Sequence, residues 1–129
     1  MTATTQIRPL WHRWLPAATW AVVIFVGSSL PGSAVPGNLS AFGHLGEYAV
    51  LAILASWAER HRGPMKAAMI ALAFVALYGA SDELHQLFVP MRMADPVDWL
   101  TDIAGACIGV TLLRLSRQYS RPGGKRVLR

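Results

Sequence analysis

Four apolar blocks divide the chain, at about residues 14–30, 41–59, 65–88 and 96–115, and short joints rich in proline, glycine or charge separate them. A soluble domain of this length spreads its charges between short amphipathic segments. Here, from Met65 to Leu77, Lys66 is the only charge. A helix that crosses the hydrocarbon core of a bilayer needs about 20 mostly apolar residues, with about 17–25 workable, and each block comes close. The pattern predicts an all-α fold. It is a polytopic membrane protein, one domain over residues 1–129, in which four transmembrane helices form an antiparallel bundle with short loops.

Proline marks the joints. Pro16, Pro64 and Pro96 fall in the first turns of helices one, three and four, where a missing N–H costs little. Pro31 and Pro36 bracket the first loop, Pro90 ends helix three, and Asp95 reads as an N-cap ahead of Pro96. Pro122 and two glycines break the tail. Trp11, Trp14, Trp57 and Trp99 lie near span ends, as interfacial aromatics do. Gly105 and Gly109 form a G-x-x-x-G pair, which lets two membrane helices meet backbone to backbone. An intramolecular contact is the favoured use of that pair over a dimer interface. The single cysteine, Cys107, reads as a buried packing thiol.

Charge adds direction. Only 15% of the 129 residues are charged, against about 25% in soluble domains, and the mean hydropathy is +0.36. The net charge of +5 matters less than its placement. Eleven of the twelve basic residues fall before block one, in the joint between blocks two and three or at its edge (Lys66), or from the end of block four (Arg114) onward; Arg92 alone lies on the other side. Lys and Arg stay cytoplasmic, so both termini are expected inside, with a basic cytoplasmic tail over residues 116–129. That tail suits anionic lipid headgroups. No groove-reading or aromatic motif accompanies the charge, so nucleic acid is not an expected partner. Arg8 and Arg13 before an apolar run, with "GSAVPG" after it, also imitate a cleaved secretory signal. We read the first helix as retained.

The unusual residues share one depth. Helix two enters from outside with His44, Glu47 and Tyr48 on one face at i, i+3, i+4 spacing. Helix three leaves through Asp82, Glu83, His85 and Gln86, and helix four re-enters through Asp95, Asp98 and Asp102. Six of the seven acidic residues belong to this outer half, Glu59 being the exception. An ionisable group at mid-span costs about 2.5–3.5 kcal/mol even on the lenient insertion scale. The groups are therefore expected to face inward and to line a polar cleft open to the outer leaflet, with Arg92 as counter-charge. The plain alternative is a hydrogen-bonded network that sets helix register.

Three kinds of chemistry suit such a cleft. Arg92, His44 and His85 can hold a polar headgroup. A histidine or carboxylate can act as a general acid or base. His44, Glu47, Asp82 and His85 can pair across antiparallel helices as metal ligands. No Ser or Cys nucleophile motif, phosphate-cradling loop or nucleotide fingerprint appears, and Ser81 reads as a helix-end polar residue. The residues assign no cofactor and leave catalysis open.

In combination, "HLGEYAVLA", "YGASDELHQLFVPMR" and "DPVDWLTDIAGACIG" resemble the VanZ-like family of small bacterial membrane proteins. The likeness covers roughly residues 41 to 113. It implies that the family's polar signature falls on His44, Tyr48, Asp82, Glu83, Gln86, Arg92, Asp98 and Asp102, with Gly105 and Gly109. Two positions depart from the family pattern: "SAFG" stands where a lysine often precedes the histidine, and Met91 interrupts Pro-Gly-Arg. The founding members are associated with resistance to the glycopeptide teicoplanin. The resemblance implies a multi-pass protein of the bacterial cytoplasmic membrane that contacts membrane lipids and binds a lipid-linked envelope precursor or a glycopeptide. The alternative is a metal-assisted or acid–base hydrolase or transferase acting on a lipid headgroup.

Overall fold

The computed structural model describes residues 10–34 and 37–120, with side chains of the second helix from residue 42. Arg8, Pro36, Pro122 and the basic tail beyond Ser120 lie outside the described residues. Four long helices and no strand make up what is described: α1 (Leu15–Ser28), α2 (Gly37–Ala58), α3 (Pro64–Gln86) and α4 (Pro96–Tyr119). One-turn 3-10 segments at Leu10–Trp14, Gly32–Ala34 and Arg60–Arg62 fill the joints.

Local chemistry explains the boundaries. Proline stands in the first turn of α1, α3 and α4. Asp95 caps α4, its side chain accepting from the Val97 N–H at 2.8 Å. α2 starts four residues before its apolar block, and α4 runs four residues beyond its own. Hydropathy marks where a helix becomes greasy, whereas backbone hydrogen bonding carries it on through polar turns.

Among the described residues, two helices, α3 and α4, are long and apolar enough to cross a membrane. At 14 residues, α1 spans roughly 21 Å, short of the roughly 30 Å hydrocarbon core. α2 has the length, 22 residues, with its side chains described from residue 42.

α2 is the central helix and packs most extensively on α4. The glycine pair makes that approach possible. A Cβ on Gly105 would collide with the carbonyl of Leu45, and one on Gly109 with that of Ala49, so the pair serves a contact within the chain. The core is correspondingly small-grained: Ala52, Ala55, Ala68, Ala71 and Ala106 surround Leu51, Val75 and Tyr48. Cys107 differs from expectation, being exposed. The buried stripe of α4 runs through Asp102, Gly105, Ala106, Gly109 and Val110, and Cys107 falls off it.

Polar ties hold α1 to the bundle. Trp14 Nε1 donates to Glu59 Oε1 at 2.8 Å, Trp20 Nε1 to the Glu47 carbonyl at 2.9 Å, and the Tyr78 hydroxyl to the Ala21 carbonyl at 2.5 Å. Glu59 lies in the connection just beyond α2. Its burial opposes a charge, but the donors Trp14 and Arg62 outweigh that and hold its carboxyl below the usual range. Trp99, expected as an interfacial anchor, instead donates to the Ala76 carbonyl of α3 at 2.9 Å. Trp11 and Trp57 are exposed.

At the opposite end the two loops clasp. Gly32 N–H donates to the Pro90 carbonyl at 3.2 Å, and a Cβ on Gly32 would strike the Met91 carbonyl. Met91 itself sits at φ 59°, the left-handed region that costs an L-residue roughly 1–2 kcal/mol, with its side chain exposed. Met91→Gly therefore relieves strain without losing packing. After the extra unfolded-state entropy of glycine, it should gain about 0.5–1 kcal/mol. A higher thermal midpoint of the purified protein is the expected result; an unchanged or lower one means that position 91 is unstrained.

Candidate functional site

The buried stripe of α3 near its end is Gly79, Asp82, Glu83 and Gln86, the spacing that one helical face requires. Gly79 lets the neighbours close in: a Cβ there would come within 2.8 Å of Asp102 Oδ2 and would press on Trp99 and Tyr48. α2 brings His44 and Tyr48 to the same depth, their rings parallel at 6.1 Å between centroids. α4 brings Asp98 and Asp102 one turn apart. Asp102 has no exposed surface.

Two hydrogen-bonded groups result. His44 Nδ1 meets Asp102 Oδ1 at 2.9 Å, and His44 Nε2 lies 4.0 Å from Asp98 Oδ2. A neutral imidazole that donates from Nδ1 leaves Nε2 as an acceptor, and a protonated one donates from both nitrogens. In the second group Asp82 accepts from the Ser28 hydroxyl at 2.6 Å and from the Tyr48 hydroxyl at 3.3 Å. Burying a carboxylate is costly unless donors surround it, and Asp82 has two.

Glu83 reaches the start of α4, its Oε2 accepting from the Asp95 N–H at 2.7 Å. Three buried polar atoms of this layer have no hydrogen-bond partner among the described residues: Glu83 Oε1, Gln86 Nε2 and Asp102 Oδ2. Beside them opens a cavity of about 240 Å³, whose polar lining is Ser28, His44, Glu47, Asp82, Gln86 and Arg92. Ile24 and Leu30 supply apolar wall. Glu47 is exposed, at the lip.

Several expectations change. Four helices, not three, form the polar layer, because Ser28 of α1 belongs to it. Its sequence signal is faint: one small hydroxyl beside Ser29 at the end of an apolar run. His85 does not join His44. It turns to α1, with Nε2 3.0 Å from the Ser29 hydroxyl and its ring 4.4 Å from that of Phe25. Arg92 lines the cavity but meets no carboxylate within 4.0 Å among the described ion pairs. Its Nε donates to the Leu30 carbonyl at 3.3 Å, because the loop clasp holds it against the end of α1. The alternative metal set of His44, Glu47, Asp82 and His85 is not brought together among the described residues. The potential ligand atoms that converge belong to His44, Glu83 and Asp102, since Glu83 rather than His85 lies on the buried stripe. Ser81 is exposed and bonds its own helix at the Tyr78 carbonyl.

The VanZ/LLP1 family model matches residues 3–117. The chain belongs to the VanZ-like family. No curated protein matches it, and neither does any solved structure. In this VanZ-like chain the position that the family pattern gives to glycine is Met91, at a positive φ. Without a lysine ahead of His44, Arg92 is the one Lys or Arg among the described residues lining the cavity.

The His44–Asp102 pair should dominate local stability. Removing one partner of a buried pair costs about 3–5 kcal/mol because the other charge is stranded. His44→Ala should therefore be severely destabilising. Asp102→Asn added to it should recover about 0.5–3 kcal/mol in equilibrium unfolding. Strictly additive losses would show that the two residues are not coupled.

Proposed function

We propose that this VanZ-like chain spans the bacterial cytoplasmic membrane four times with both termini inside. In this reading its outward-facing cavity binds the polar headgroup of a lipid-linked envelope component. The observation that carries it is an inverted distribution of polarity around a cavity lined by Arg92, His44, Glu47 and Asp82. Long apolar side chains cover the outside, with Val22 61%, Leu77 74%, Leu84 62% and Leu112 57% exposed, while Asp82 is 3% and Asp102 0% exposed. A soluble monomer rarely presents large continuous apolar surface. A bilayer covers such a surface and drives ionisable groups inward.

Orientation follows from the two ends. Arg60, Arg114 and Arg117 gather around one pocket at the end opposite the loop clasp, which suits the cytoplasmic face. The cavity with Arg92 then faces outward. α1 is short for a span, but the 3-10 segment Leu10–Trp14 lengthens it with two interfacial tryptophans and the basic His12 and Arg13.

Size and chemistry narrow the ligand class. About 240 Å³ falls below the roughly 300–1,000 Å³ of pockets that enclose drug-sized molecules. A headgroup fits and a whole glycopeptide does not. Arg92 supplies a forked cation for phosphate, while Glu47, Asp82 and Gln86 offer acceptors and a donor for hydroxyl or amine groups. Any influence on teicoplanin susceptibility then acts through the envelope component bound.

Orientation is checked by cysteine labelling in intact cells, with Cys107 replaced by serine. A membrane-impermeant maleimide should label Met93→Cys but not Lys66→Cys, and the reverse pattern refutes the topology. For binding, native mass spectrometry of protein purified with envelope lipids should show retained phosphate-bearing lipid. Arg92→Ala should lose that lipid and shift teicoplanin susceptibility in an expressing strain. A wild-type protein that retains no envelope lipid, with susceptibility indifferent to Arg92→Ala, ends the proposal.

A further inference from the structure

We infer that His44, Glu83 and Asp102 form a binding site for one divalent transition-metal ion, with zinc as the best-suited occupant. The three residues come from α2, α3 and α4, and potential ligand atoms from each lie within 4.8 Å of one another. All three are buried. Tetrahedral bonds of about 2.0–2.2 Å to a shared ion hold ligand atoms about 3.3–3.6 Å apart, so the three side chains close in by up to about 1.5 Å on binding.

Cation neighbours do not explain the pair of carboxylates. Glu83 and Asp102 are 6% and 0% exposed, and neither meets Lys or Arg within 4.0 Å among the described residues. Each keeps one buried oxygen without a hydrogen-bond partner, Glu83 Oε1 and Asp102 Oδ2. A protonated His44 balances Asp102 through the 2.9 Å contact at Oδ1, but it leaves Asp102 Oδ2 and Glu83 Oε1 without a partner. A divalent ion balances both carboxylates with the imidazole neutral, and it gives the two bare oxygens a partner. A nitrogen and two carboxylate oxygens form a ligand set that zinc accepts.

The surroundings fit. Asp95 N–H holds Glu83 Oε2, which fixes one oxygen and leaves the other to turn inward. Asp98, whose Oδ2 lies 4.0 Å from His44 Nε2, is the nearby carboxylate that would orient a ligating histidine once it closes to hydrogen-bond distance. Three protein ligands leave a position open, and His44 also lines the cavity. The site does not depend on the headgroup reading, since metal is measured without any lipid present.

The test uses the full chain in detergent. Wild-type protein dialysed against zinc should hold about one equivalent by elemental analysis. With cobalt(II) in its place, the protein should show a visible ligand-field spectrum. Glu83→Gln, which keeps size and shape, should weaken zinc by more than the roughly 10–100-fold that loss of an outer-shell partner costs. Asp98→Asn should fall inside that range, and His85→Ala should retain the ion. His44→Ala also removes a structural contact, so the wild-type cobalt spectrum and Glu83→Gln decide the matter. Wild type that takes up no zinc, or zinc held equally by Glu83→Gln, overturns the site. So does zinc lost on His85→Ala.

Discussion

Asp102 is a carboxylate with no exposed surface, one turn from a pair of glycines, and the rest of the bundle is arranged around it. The collision-free approach of Gly105 and Gly109 to the carbonyls of Leu45 and Ala49 brings α4 close enough for His44 to reach Asp102. Larger residues at those two positions would push the helices apart and break that bond. Gly79 completes the constraint from the third side, since any side chain there would crowd Asp102 Oδ2. Small residues in this fold therefore do more than pack. They set the distance at which buried polar groups meet.

The division of labour follows. Alanines and glycines make the interior thin, and the long aliphatic side chains are left outside. In water that arrangement gives up most of the hydrophobic gain that holds a soluble bundle together. In a bilayer, helices associate through close packing and interhelical hydrogen bonds, the two contributions that this chain supplies. The polar layer thus has a structural effect whatever it binds, because it cross-links all four helices through Ser28, His44, Tyr48, Asp82 and Asp102.

Much of this is legible in the residues alone. Block length and proline position locate four helices, Asp95 marks its own cap, and the glycine spacing marks the close contact. Depth is legible too, which is why His44, Asp82 and Asp102 can be placed in one layer before any coordinates. Helix rotation is not. Glu83 and His85 lie within one turn, and only the packing of Gly79 against α4 decides that Glu83 turns in while His85 turns to α1. The same limit hides Ser28, whose hydroxyl carries no periodic signal, and misplaces Cys107 on the inner face. Arg92 was harder still. Its neighbour is a carbonyl brought near by a clasp between two distant loops.

The bond between Ser28 and Asp82 joins residues 54 positions apart. In the proposed topology the first helix enters the bilayer long before its partner exists. Synthesis at roughly 5–20 residues per second leaves an interval of about 3–11 s between the two. Through that time the Ser28 hydroxyl is satisfied by its own backbone, at the Phe25 carbonyl 3.1 Å away, although α2 can already pack on α1 through the Trp20 bond to the Glu47 carbonyl. That local bond makes the early helix tolerable, and the later exchange to Asp82 makes closing the cavity one of the last steps in the protein's biogenesis.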